Sequence, residues 1–176
     1  MADHLLQQLR RHTSCDVADA LGTLGVRGHL PDITPRTPAA EDLNTVAVGP
    51  AVARGARAVV VDGRIRDVHE LQRLILPVFA RGISCVGARG ALIPQPATGT
   101  APSTVTIQRG ENYEPMVVAT GDIMVADANG VLCIPRQHLA SVVELCQINA
   151  PVEEACMRDI RAGHGYRTTL TKYRTK

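Results

Sequence analysis

The chain has 176 residues, a length that suits one domain. Apolar residues make up 45% of it, enough for a core, but with no Trp, one Phe and three Tyr the packing falls to Ala, Val, Leu and Ile. A formal charge of +2 is too weak to dictate a partner, and so few aromatics leave almost no stacking platform for single-stranded RNA.

Basic residues crowd toward the C-terminus at Arg158, Arg161, Arg167, Lys172, Arg174 and Lys176. They read as a solvated helix and a frayed tail rather than a nucleic-acid patch. Cysteines stand at 15, 85, 133, 146 and 156, an odd number without CxxC spacing. That pattern argues against a zinc ribbon or a disulfide framework and for a reducing compartment. MADHLLQQLRRH carries charges where a signal peptide needs an apolar run, and no apolar stretch reaches the ~18 residues of a membrane helix. The expectation is a soluble, cytoplasmic protein with no membrane and no nucleic-acid partner.

In chain order, Leu5, Leu6 and Leu9 have helical spacing within 3–12. Thr13 or Ser14 caps a second helix with Asp16 in its first turn and Val17, Ala18, Leu21 and Leu24 on one side. Residues 29–44 are polar and proline-rich and predict a surface loop. Residues 45–53 predict a strand. RAVVVD (57–62) predicts a strand buried on both faces, Gly63 a turn, and VHELQRLI a helix, which together make half of a βαβ unit. LPVFA (76–80) resumes as a strand and 92–104 is a loop. STVTIQ and PMVVA predict strands, and Asn129–Gly130 between alternating apolar positions predicts a hairpin over 122–134. Residues 136–162 predict helix with a break at Pro151. The order implies a mixed α/β domain over 1–176, with stacked β layers and outer helices.

The stretch richest in chemistry is Val61-Asp62-Gly63-Arg64-Ile65-Arg66-Asp67-Val68-His69-Glu70, where a strand ends and a helix begins. Open α/β sheets collect ligands at strand carboxyl ends. Asp67 in a first helical turn complements the helix dipole, so it is structural on that ground alone; Arg64 and Arg66 there oppose the dipole. Chemically, Arg66 offers forked donors for a carboxylate, and Asp67 offers hard oxygen for Mg²⁺ or Mn²⁺. A 2-oxo acid chelating such a metal gains enolate stabilisation as a carbon–carbon bond breaks. Lys172 and Lys176 are the only lysines, so a Schiff-base aldolase is disfavoured. His69–Glu70 is not HExxH because position 73 is Arg, and GTLGVRG (22–28) is not a dinucleotide loop. Asp122 and Asp127 suit turn and solvent roles, and Glu153 and Glu154 a solvated helix face.

TSCDVADAL (13–21), GPAV (49–52), VVVDGRIRD (59–67), PVFARG (77–82) and GDIMVADANGVLCIP (121–135) follow one another in order. This series resembles the RraA-like family over roughly residues 5–175. The family includes 4-hydroxy-4-methyl-2-oxoglutarate aldolases, many of which also decarboxylate oxaloacetate. The resemblance implies a β/β/α swivelling-domain-like fold, a homotrimer with sites between subunits, and Mg²⁺ or Mn²⁺. It implies a class II aldolase or decarboxylase whose R-D-x2-E/D pattern falls on Arg66, Asp67 and Glu70. Arg66 would bind the pyruvyl part of a small 2-oxo acid, and Asp67 the metal. Glu153 or Glu154 would reach the metal waters from a neighbouring subunit. The family's glycine, separated from the Arg by twenty residues, is Thr45 here. A helix, a strand and a glycine loop that normally separate the GPA and VVVDG strands are missing between Ala51 and Val59. Two alternatives therefore stand beside the lyase: a non-catalytic protein-binding regulator of the ribonuclease E inhibitor type, and an inactive truncated isoform.

Overall fold

The computed structural model describes residues 2–36, 45–47, 57–73, 77–86, 104–109 and 113–174. The elements are α1 (Ala2–Leu9), α2 (Ser14–Thr23), β1 (His29–Leu30), β2 (Thr34–Pro35), β3 (Thr45–Ala47), β4 (Val59–Ile65), α3 (Val68–Leu71), β5 (Val78–Ile83), β6 (Thr104–Ile107), β7 (Met116–Ala119), β8 (Ile123–Asp127), β9 (Gly130–Ile134), α4 (Leu139–Arg161) and α5 (Tyr166–Arg174). The strands form three sheets, ordered β1-β9-β8-β3, β2-β5-β4 and β6-β7.

The β8–β9 hairpin organises the layers. Its two-residue turn is Ala128–Asn129, one residue ahead of the expected Asn129–Gly130, and Gly130 opens β9 at φ 142, where a side chain is rarely tolerated. Strand side chains alternate between faces. Ile123, Val125, Leu132 and Ile134 therefore meet Leu9, Val17, Leu21, Val142 and Val143 of the helices. Ala126 and Val131 turn the other way, toward Leu30, Ile33, Phe79 and Ile107. The result is a helix layer, a central sheet and a second β layer made of the two smaller sheets. A close approach fixes one joint: a Cβ on Gly28 would lie 2.4 Å from Leu21 Cδ1 and 2.5 Å from the Cys133 carbonyl oxygen.

Thr13 caps α2 as expected, in a capping box with Asp16. The buried face is Val17, Ala20 and Leu21, while Ala18 and Leu24 are exposed, a shift from the predicted stripe. Asp127 anchors this helix from the hairpin. Its Oδ2 accepts from Ser14 N at 2.8 Å, and its Oδ1 from Ser14 Oγ at 2.7 Å and Asn129 N at 2.8 Å. Asp127 is buried, so the expected turn role holds and the solvent role does not. Asp122 holds the preceding turn, accepting from Ala119 N and Arg136 N.

Five further expectations change. The predicted loop over 29–44 contains β1 and β2, and it buries Leu30 and Ile33 because β1 pairs with β9 and β2 with β5; residues 37–44 lie outside the described residues. β4 runs through Gly63 to Ile65, so Gly63 does not turn the chain. Val59, Val60 and Val61 are half-buried because, among the described residues, β4 stands at the edge of its sheet. Pro151 lies inside a continuous α4 rather than at a break. As far as Arg174 the tail is not frayed: α5 docks on α4, where Asp159 accepts from Lys172 Nζ at 2.8 Å and Tyr173 Oη at 3.0 Å, and Arg174 pairs with Glu153. The bond to Asp159 pushes the Lys172 ammonium up to about 12.

Of the predicted strand over 45–53, Thr45–Ala47 is seen as β3; the remainder, the gap between Ala51 and Arg57, the loop before Thr104 and the end of VHELQRLI lie outside the described residues. Among the described residues no helix is long and apolar enough to cross a membrane.

Candidate active site

β4 and β5 pair in parallel with α3 between them, which is the predicted crossover unit. Arg66 and Asp67 follow the last residue of β4, at its carboxyl end. Asp67 has φ 59 and ψ 42, a left-handed conformation that Asp tolerates better than most side chains. It precedes α3 as its cap residue but makes no side-chain capping bond. α3 is only four residues long, so the dipole argument that opposed Arg64 and Arg66 to Asp67 has little force. Arg64 is a strand residue; its guanidinium packs over Gly82 and donates to the Ile83 carbonyl at 3.4 Å.

Arg66 Nε donates to Asp67 Oδ2 at 2.8 Å, and the two side chains are 52% and 56% exposed. The bond to Asp67, its charge, and the charge of Glu70 hold the Arg66 guanidinium above its ordinary value, against a smaller effect of burial. Arg66, Asp67 and Glu70 are thus neighbours at one exposed junction. Glu153 and Glu154 sit elsewhere in the chain, on α4. Both line an open groove with Met157, Arg158 and Arg161, and Glu153 is bonded to Arg174 of its own chain. Glu153 is therefore not simply a solvated residue. Among the described residues no three His, Cys, Asp or Glu side chains cluster as metal ligands.

Sequence reasoning gave no role to Asp62 or Arg81. Arg81 Nε donates to Asp62 Oδ1 at 2.5 Å, with side chains 23% and 22% exposed, so this pair is better shielded than Arg66–Asp67. The available signal was a carboxylate in the middle of a Val-rich strand, which breaks the local pattern. All five cysteines are free; Cys133, Cys146 and Cys156 are buried and Cys15 and Cys85 exposed.

A central sheet with helices on one face, smaller sheets on the other, and an Arg–Asp pair at a strand-to-helix junction make a layered, mixed α/β protein with a candidate site at one strand end. The sequence profile of the RraA-like family, Aldolase/RraA, matches residues 39–133, and the chain belongs to this family. It is 30% identical over 120 residues to an uncharacterized protein of Methanocaldococcus jannaschii, covering 68% of this chain and 52% of that one. It is 30% identical over 113 residues to a Halalkalibacterium halodurans protein whose name assigns it provisionally as a 4-hydroxy-4-methyl-2-oxoglutarate aldolase, covering 64% and 49%. The chain thus spans about half the length of these curated relatives.

Among solved structures, a Pseudomonas syringae pv. tomato protein superposes with a TM-score of 0.72 at 18% identity, covering 96% of this chain and 98% of that one. Streptomyces coelicolor RraAS2, described as an unusual member of the RNase ES inhibitor RraA family, superposes at 0.53 with 20% identity, covering 86% and 94%. At such identities the likeness shows the fold alone, a mixed α/β fold shared with RraA-like structures.

Proposed function

We propose that the chain is a divalent-metal-dependent lyase that releases pyruvate from 2-oxo acids of the 4-hydroxy-4-methyl-2-oxoglutarate type or decarboxylates oxaloacetate. The observation that carries this reading is the Arg66–Asp67 pair, set side by side at an open strand end with Glu70 one turn on. The donor chemistry fits Mg²⁺ or Mn²⁺: Asp67 supplies a hard, solvent-reachable carboxylate, and Mg²⁺ keeps several waters while taking one or two carboxylates. Such an ion, when bound, supplies Lewis-acid polarisation of the keto group.

The chain's own residues do the rest. Arg66 has a planar fork that suits a substrate carboxylate. Its bond to Asp67 is an exposed one, which water and ligands compete for readily. A carboxylate entering the fork therefore replaces Asp67 as Arg66's partner and frees the Asp67 oxygens. Glu70, one turn on, would handle a proton through water. Trimeric assembly, with Glu153 or Glu154 reaching a neighbour's site, belongs to the same proposal, as does a cytoplasmic setting suited to five free thiols.

The test is pyruvate release from oxaloacetate and from 4-hydroxy-4-methyl-2-oxoglutarate with and without Mg²⁺ or Mn²⁺. Metal-dependent turnover above background, abolished in Asp67→Ala, supports the reading. Background rates for both proteins sink it. A second reading, a non-catalytic protein-binding member, is favoured by the exposure of the same pair, which suits a contact surface. A specific partner retained equally by wild type and Asp67→Ala would support that reading.

A further inference from the structure

We infer that Arg81 is a positioning residue for the Arg66–Asp67 pair, acting through a bulge in β4; its catalytic meaning rests on the lyase reading above. β4 and β5 pair Val61 with Ala80 and then Arg64 with Gly82. Two β4 residues, Asp62 and Gly63, therefore stand opposite one β5 residue, Arg81. An extra residue of this kind bends a strand and changes which face the following side chains take. Arg66 and Asp67 lie just beyond it, so the bulge decides where they point.

A bulge interrupts ladder bonding and needs something to hold it. Arg81 does so with all three kinds of guanidinium nitrogen. Nε bonds Asp62 Oδ1, Nη1 donates to the Pro31 carbonyl at 3.1 Å, and Nη2 donates to the Gln108 carbonyl. Asp62 Oδ2 accepts in turn from Gln108 N at 2.9 Å. The clasp joins β4, β5, the β1–β2 connection and the end of β6. Arg36 braces the same β5 backbone, donating to Ala80 O at 3.0 Å and Arg81 O at 2.7 Å. Three acceptors in three directions suit a fixed fork, and an ammonium cannot reproduce them. The exposed Arg66–Asp67 pair lacks the burial that ordinarily fixes catalytic side chains, so its placement depends on the strand that carries it.

The experiment compares wild type with Arg81→Met, Arg81→Lys and Asp62→Asn. It reads hydrogen exchange in peptides 59–67 and 123–134, Mn²⁺ binding by water-proton relaxation, and kcat and KM with oxaloacetate well below each melting temperature. Loss of the clasp should speed exchange in 59–67 and leave 123–134 protected. It should weaken Mn²⁺ binding and lower kcat/KM by roughly a hundredfold, the scale of an ångström misplacement. Arg81→Lys should recover part of the loss. A merely structural role would lower the melting temperature and leave kcat/KM of the folded protein intact, and that result overturns the inference. So does unchanged exchange in 59–67. Should Arg81→Met fail to fold, Asp62→Asn carries the same comparison, because it keeps an acceptor and removes the charge. If wild type shows no lyase activity, the proposed function fails separately, and exchange with Mn²⁺ binding still decides on the clasp.

Discussion

Replacing Asp127 by Asn exchanges one oxygen for an NH₂ in the joint between helix α2 and the β8–β9 hairpin. The native carboxylate takes Ser14 N on one oxygen and both Ser14 Oγ and Asn129 N on the other. An amide has one oxygen and one NH₂. In either orientation, a donor faces a backbone N–H, of Ser14 or of Asn129. Ser14 is buried and Asn129 exposed, so the amide keeps the Ser14 bond and leaves the Asn129 N–H without its acceptor, at the low end of the ~1–3 kcal/mol such a loss costs. The surviving bonds also lose the strengthening that an ionised acceptor gives. Together these make a destabilisation of about 2 kcal/mol, a sizeable share of the ~5–15 kcal/mol of a typical domain.

The pH dependence is fixed by the same contacts. Burial alone would raise the Asp127 carboxyl, but the bonds from Ser14 and Asn129 outweigh it, so its value in the folded chain is lowered. A lowered folded value means stability that is present above the unfolded value, ~3.9, and lost as pH falls through the folded one. Urea unfolding followed by far-UV circular dichroism should show Asp127→Asn weaker by about 2 kcal/mol at pH 7 with an unchanged m-value. The gap to wild type should narrow below about pH 4. A variant within about 0.5 kcal/mol of wild type at pH 7, or a gap that ignores pH, would refute the reasoning.

Gly28→Ala places a methyl against Leu21 Cδ1 and the Cys133 backbone oxygen, and backbone cannot swing away. Thermal unfolding should show a loss of about 1–3 kcal/mol. Pro151→Ala returns a backbone N–H to the interior of the continuous α4 and should raise stability by about 1–2 kcal/mol, less than the full proline penalty because the unfolded chain regains freedom. An unchanged midpoint would mean the helix already compensates for the proline. In the native protein, iodoacetamide should label Cys15 and Cys85 first. Burial pushes the Cys133 thiol up to about 12 and that of Cys146 up to about 11, so mass spectrometry should find both labelled only after denaturation.

The hairpin, the α2 cap and the parallel β4–β5 pair were legible because each has a local cause: Asn129–Gly130, Thr13 with Asp16, and a Val run followed by a short crossover. The misses have tertiary causes. Leu30 and Ile33 look like loop residues until β9 and β5 supply backbone partners for His29–Leu30 and Thr34–Pro35. Pro151 reads as a break by propensity, but α4 is pinned on both sides of it, by Val142, Val143 and Cys146 in the core and by α5 beyond. Lys172 and Arg174 looked like free tail charges because their partners, Asp159 and Glu153, lie 13 and 21 residues away. For the candidate site, the adjacency of Arg66 and Asp67 was readable, but their mutual bond was not. The bulge that aims them leaves one mark, Gly63 inside a Val-rich strand, which sequence reasoning assigns to a turn instead.

That last point bears on how one fold serves different ends. The family joins aldolase and RraA in its very description, and fold likeness does not choose between them. The packed β8–β9 hairpin and its helices hold their shape whatever stands at residues 66 and 67, because no side chain of that pair enters either core cluster. Function can therefore be gained or lost at the end of β4 with little effect on stability. The reverse does not hold for Asp62 and Arg81. Their half-buried pair ties three strands together, so a change there disturbs the placement of Arg66 and Asp67 before it disturbs the core. On the lyase reading proposed above, chemistry in this chain is mutable at its tip and constrained at its root, and a loss of activity from substitutions at 62 or 81 with the core intact is what separates an aimed site from a surface ion pair.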